Sequence, residues 1–82
     1  MQLIVTPEAT KQFSKLPKTE QKKVVKKMKL LESDPYAGKK LDGDLAETRS
    51  LRTWPYRIIY WIDTKNKKLF VVNIWHRQGA YK

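Results

Sequence analysis

Two runs of strand length in the second half of this chain constrain its fold more than anything else in it. Arg57-Ile58-Ile59-Tyr60-Trp61-Ile62 and Leu69-Phe70-Val71-Val72-Asn73-Ile74-Trp75 are built from β-branched and aromatic residues, the types that fit a pleated, half-buried surface. Asp63-Thr64-Lys65-Asn66-Lys67 separates them with turn chemistry, so a hairpin is the economical reading. Both runs are apolar on both faces, which points to central strands covered on at least one side. Strand alternation puts Arg57, Ile59 and Trp61 on one face and Tyr56, Ile58 and Tyr60 on the other. In the second run Asn73, Trp75 and Arg77 share a face, while Ile74 and His76 share the opposite one. Arg57 and Arg77 are thereby expected to converge across the hairpin.

Upstream, Gln2 to Val5 reads as a short first strand. Thr6-Pro7-Glu8 then opens a helix: a hydroxyl N-cap, proline at the first helical position and an acid in the first turn. Ala9, Phe13 and Leu16 form its apolar stripe, and Pro17 ends it. Thr19 is the expected N-cap of a second helix, with Val24, Met28 and Leu31 at helical spacing and Val25 widening the stripe. Lysines cover the rest of that helix. Residues 32–38 read as a loop and 39–44 as a polar connection with a turn at Asp42-Gly43. A strand ending in Ser50-Leu51-Arg52 follows, and Trp54-Pro55 breaks the chain before the hairpin. The expected architecture is α+β, ordered β-α-α-β-β-β, an antiparallel sheet with a helical hairpin packed on one face. It occupies residues 1–82 as a single domain.

Charge narrows the function. A formal net charge of +10 on 82 residues costs self-repulsion, so a polyanionic partner is the natural expectation, nucleic acid first and an acidic protein second. The plainer reading is a lysine-rich solvated surface. No cysteine and a single histidine leave neither a disulfide framework nor a metal-ligand spacing, and no Gly-rich phosphate loop occurs. The amino terminus is too short for a signal h-region and no apolar run nears the roughly 20 residues of a membrane span, so a cytoplasmic protein is expected. What remains is a basic–aromatic set on the hairpin: Arg52, Arg57, His76, Arg77 and Tyr81. Two guanidiniums side by side bind a phosphate and stabilise charge growing on it. Each arginine alone also fits a surface charge, or a salt bridge to Asp63 or Glu47. His76 is the single histidine, the residue type suited to proton transfer at physiological pH.

Pro35…Gly38-Lys39-Lys40-Leu41…Gly43, Arg49-Ser50-Leu51-Arg52, Tyr56-Arg57-Ile58-Ile59-Tyr60 and His76-Arg77…Tyr81 together resemble the RelE/ParE superfamily of bacterial toxins, in its RelE-like branch. The order of helices and strands is similar too, so the likeness spans essentially the whole chain. It implies a toxin of a type II toxin–antitoxin pair, held by a cognate acidic antitoxin. For RelE-like members it implies an endoribonuclease that cuts mRNA on the ribosome without metal or other cofactor. The ribose 2′-hydroxyl attacks the adjacent phosphate and leaves a 2′,3′-cyclic phosphate. Carried onto this chain, the catalytic set is Arg57, His76, Arg77 and Tyr81, with Lys39, Lys40, Arg49 and Arg52 as RNA-binding residues. Two positions depart from the pattern. Thr48 and Ser50 stand where RelE places lysines, and Lys39 and Lys40 where other relatives carry a glutamate base. The general base is open between His76, Tyr81 and a lysine near Lys39. ParE-like members of the same fold poison DNA gyrase and are not nucleases, and a basic RNA-binding module without catalysis is the third reading.

Overall fold

The computed structural model describes residues 1–40 and 48–76. Along the chain run β1 (Gln2–Val5), α1 (Pro7–Ser14), α2 (Lys18–Ser33), β2 (Lys39–Lys40), β3 (Thr48–Thr53), β4 (Tyr56–Asp63) and β5 (Lys68–His76). The strands form one sheet in the order β1-β5-β4-β3-β2, so the two apolar runs are indeed its interior strands. The antiparallel meander β3-β4-β5 is as expected. Two features differ. β1 joins β5 in parallel, Leu3 against Leu69 and Val5 against Val71, which makes the sheet mixed. Lys39-Lys40, expected as plain connection, forms an edge strand antiparallel to β3. An edge accepts lysine readily, because its charge blocks pairing with another chain.

Local chemistry sets the helices. The Thr6 hydroxyl accepts from the Ala9 N–H at 3.3 Å and caps α1, with Pro7 in the first turn. α2 starts one residue before the expected cap: Pro17 takes the N-cap position, and its carbonyl accepts from Glu20 and Gln21, both at 2.9 Å. Thr19 thus lies inside the helix, and the helix runs on through Ser33, past the expected loop start. Propensity favours this, since Glu32 is a good helix former and Ser33 returns its hydroxyl to the Leu30 carbonyl at 3.0 Å.

Ala9, Val24, Met28 and Leu31 of the helices bury against Ile58, Tyr60 and Ile62 of β4 and Leu69, Val71 and Ile74 of β5. Val25 is not part of this seam and stays exposed. Val71 and Ile74 are three residues apart yet both face the core, because β5 bulges. Ile59 pairs with Asn73 but Tyr60 pairs with Val71, leaving Val72 without a counterpart. Helix α1 satisfies the groups this disturbs. Gln12 Oε1 accepts from the Ile74 N–H at 2.6 Å, Gln12 Nε2 donates to Asn73 Oδ1 at 3.1 Å, and the Thr6 hydroxyl donates to the Val72 carbonyl at 3.4 Å. The helical hairpin covers one face of the sheet only. The other face carries Ile59, buried, and Trp61, 40% exposed and tilted against Phe70 at 5.6 Å between ring centroids. No helix among the described residues is long and apolar enough to cross a membrane.

Candidate phosphate site on the open sheet face

Register decides which side chains meet. β3 and β4 set Arg52 directly opposite Arg57, and β4 and β5 set Arg57 opposite Trp75. Directly paired residues share a face with Cβ atoms about 4.5–5.5 Å apart, and like charges so placed destabilise a sheet. Parity assigns this row to the open face, together with Ile59 and Trp61. One row along, Ser50 pairs with Ile59 on one side and with Lys39 on the edge strand. Between these residues and the preceding loop lies an open cleft of ≈ 530 Å³, lined by Gly38, Lys39, Lys40, Ser50, Arg52 and Arg57. The charge on its walls is all positive, and among the described residues no carboxylate lines it.

A compact set of hydrogen bonds holds the cleft's outer wall. The Tyr60 phenol, fully buried, donates to the Pro35 carbonyl at 2.9 Å and accepts from the Gly38 N–H at 2.9 Å. Arg49 donates to the Gly38 carbonyl at 2.9 Å, and its guanidinium lies over the Tyr36 ring, 4.8 Å from the centroid. Gly38 is packed so closely that a Cβ there would sit 2.6 Å from Tyr60 Oη and 2.7 Å from the Ser50 carbonyl oxygen. Burial holds the Tyr60 phenol above its ordinary value of 10.0; the Gly38 N–H and the Arg49 charge oppose this without reversing it. The phenol is therefore neutral and able to donate at any physiological pH. The lock fixes the loop from which Lys39 and Lys40 emerge.

The expected site residues separate accordingly. Arg57, Arg52, Lys39 and Lys40 come together on the cleft. Arg49 is committed to the lock, on the core side of β3 opposite Tyr60, and does not line the cleft. His76 pairs with Tyr56 and packs edge-on against its ring, 5.3 Å between centroids at 86°. That is the face of the helices, opposite to Arg57, as strand parity requires. Arg77 and Tyr81 lie outside the described residues, as do Leu41, Gly43 and Glu47. Asp63 stands at the far end of β4 from Arg57, where it accepts from Asn66 Nδ2 at 2.8 Å and from the Asn66 N–H at 3.2 Å. Six residues of strand, about 20 Å, exclude it as a partner for Arg57. Sequence reasoning missed Ser50 as a lining residue, although its place two residues before Arg52 on one strand was a usable signal. It also missed the lock, because nothing local links Tyr36, Gly38 and Tyr60.

Comparison with known proteins fits this arrangement. The model of the family described as the ParE toxin of the type II toxin-antitoxin system parDE matches residues 3–81. Among solved structures, a chain of the RelBE2 toxin–antitoxin complex of Mycobacterium tuberculosis is 31% identical, with a TM-score of 0.84; the alignment covers 93% of this chain and 96% of that one. The isolated RelE toxin of E. coli aligns at 21% identity and TM-score 0.83, covering 98% of this chain and 87% of that one. The archaeal RelE–RelB complex of Pyrococcus horikoshii aligns at 22% identity and TM-score 0.80, covering 96% and 97%. The last two share the fold. No curated protein matches the chain at a significant level. With a family model spanning nearly its whole length and a solved relative of the same extent, the chain belongs to the RelE/ParE superfamily of type II toxin–antitoxin toxins.

Proposed function

We propose that this toxin is an endoribonuclease that cuts mRNA, acting at the cationic cleft of the open sheet face. The observation that carries the reading is the directly opposed pair Arg52–Arg57 beside the Lys39–Lys40 edge. Two guanidiniums held side by side attract an anion, and a phosphodiester is the anion that a guanidinium fork matches. In the reaction the ribose 2′-oxygen bonds to the adjacent phosphorus and the bond from phosphorus to the 5′-oxygen breaks. A base takes the 2′-hydroxyl proton, and an acid returns a proton to the leaving 5′-oxygen. Arg57 and Arg52 would hold the non-bridging oxygens and stabilise the charge that grows on them in the transition state. His76, on the opposite face, is poorly placed for either proton transfer. Tyr81 and Lys39, which pairs with Ser50 on the open face, become the better candidates, and Arg77 remains a candidate second phosphate ligand.

An acidic antitoxin is the proposed protein partner. A groove of ≈ 500 Å³ along the helical hairpin has Phe13 and Val25 as apolar floor and Lys18, Lys22, Lys26 and Lys29 around it. An amphipathic segment carrying carboxylates on its flanks would suit that pattern.

The rival is a poison of DNA gyrase, which the ParE name of the matching family model favours. Primer extension on a reporter message in a translating extract, beside a gyrase supercoiling assay, separates the two. New 5′ ends with normal supercoiling support the ribonuclease. Uncut message with inhibited supercoiling overturns it.

A further inference from the structure

Ser50 is the least expected member of the cleft. The residue is only 7% exposed, and its hydroxyl oxygen is buried with no hydrogen-bond partner. A hydroxyl left so costs free energy, and folded proteins seldom keep one without a reason. Its surroundings supply the reason. Ser50 lines the cleft, pairs with Lys39 on the edge strand, precedes Arg52 by two on the same face of β3, and lies diagonally across from Arg57. Diagonal and i+2 neighbours on one face of a sheet are about 7 Å apart, the span a single phosphate group bridges with its oxygens. Among the described residues, the one unsatisfied hydroxyl of this face therefore sits between three cations.

We propose that the Ser50 hydroxyl is a phosphate ligand: it donates to a non-bridging oxygen of the RNA phosphodiester held by Arg52, Arg57 and Lys39. This rests on the RNA-directed reading of the cleft and adds to it a neutral donor at the cleft floor. A serine binds without adding charge. Occupancy of the cleft by the anion satisfies the donor that the free protein leaves unpaired. Lysine at this position would bring a fourth charge and a longer reach; serine instead selects a phosphate drawn in close to the sheet.

The test measures the affinity of the full chain for a 2′-O-methyl RNA oligonucleotide, which keeps the phosphates but removes the nucleophile. Wild type, Ser50→Ala and Ser50→Cys are compared by fluorescence anisotropy across a salt series, with thermal melts of each. Expected is a loss of affinity of about tenfold in Ser50→Ala, as for a hydrogen bond to a charged group. Ser50→Cys, similar in shape but a weak donor, shows a comparable loss. The slope of log affinity against log salt stays that of wild type in both, because no phosphate contact by a cation has gone. Melting temperatures stay level or rise, since an unsatisfied hydroxyl has been removed. Wild-type affinity in both variants overturns the assignment while leaving the RNA-directed cleft intact. A parallel fall in affinity and melting temperature in both variants also overturns it, in favour of a packing role. If wild type itself fails to bind the oligonucleotide, both this assignment and the reading beneath it fall. Binding that depends on Ser50, together with uncut message in translating extracts, keeps the phosphate ligand and removes the nuclease.

Discussion

At the scale of single residues, strand parity has the largest consequences. Arg57 and His76 are both at the Tyr56 end of the hairpin, yet adjacent rows on neighbouring strands point to opposite faces. Arg57→Ala is therefore expected to lower single-turnover cleavage by about 10²-fold or more with the melting temperature kept, the magnitude typical of losing one transition-state donor. His76→Gln is expected to change the rate by less than about tenfold, below the usual contribution of a general acid or base. Rapid-quench assays on ribosome-bound message measure both. A His76→Gln loss as deep as that of Arg57→Ala would return the proton transfer to the imidazole.

Tyr60 offers a pH test of the lock. Burial raises its pKa above 10.0, so near and above that pH the unfolded phenol ionises while the folded one stays neutral. The unfolded chain then binds fewer protons, and stability falls as pH rises from about 10 until the folded pKa is passed. Tyr60→Phe is expected to remove that alkaline decline. It should also cost about 1–3 kcal/mol at neutral pH, because the Gly38 N–H and the Pro35 carbonyl lose their partner. Denaturant melts of both proteins across the alkaline range report the difference. An equal decline in the two would remove Tyr60 as its source.

At the scale of elements, β2 is the one the rest of the site leans on. Two residues of strand have little stability of their own, and the lock supplies what the pairing lacks. Gly38→Ala drives a Cβ to 2.6 Å from a buried phenol oxygen that makes two hydrogen bonds and 2.7 Å from backbone, neither of which can retreat cheaply. The expected cost is about 1–3 kcal/mol of overpacking. That corresponds to a lower melting temperature by roughly 4–8 °C per kcal/mol in a domain of this size. Cleavage should fall further than stability alone predicts, because Lys39 shifts with the strand. A variant with an unchanged melt and unchanged rate would mean the loop yields freely. The β5 bulge is held differently, by Gln12 and Thr6 reaching across from α1.

At the scale of the whole molecule, charge and covering are divided between two faces. The helices protect one side of the sheet and leave the other to Arg52, Arg57, Trp61 and Trp75, so part of the net charge of +10 is concentrated on the uncovered face. The lysine-flanked groove of the helical hairpin lies on the far side of the molecule from that cleft. If the antitoxin docks there, Val25→Asp should weaken its binding by about tenfold or more by setting a charge into the apolar floor. Val25 is already exposed, so the melt should hold. Titration calorimetry with the purified antitoxin measures this, and unaltered affinity would move the docking surface elsewhere.

The sequence by itself determined most of the architecture. Two interior strands followed from runs apolar on both faces, the start of α1 from Thr6-Pro7-Glu8, and the buried stripe of α2 from Val24, Met28 and Leu31, since these depend on local propensity and periodicity. It also brought Arg52 and Arg57 to the same hairpin edge. Tertiary structure decided what local pattern cannot carry. The parallel pairing of β1 rests on contacts more than sixty residues apart. The edge strand at Lys39–Lys40 follows a Gly38 pinned by Tyr60 and Arg49, a contact that gives Arg49 a bracing role no local pattern announced. The orphaned hydroxyl of Ser50 emerged only when register set it beside Lys39 and diagonal to Arg57. A serine's partners, or their lack, are fixed by strands that the sequence around it does not name.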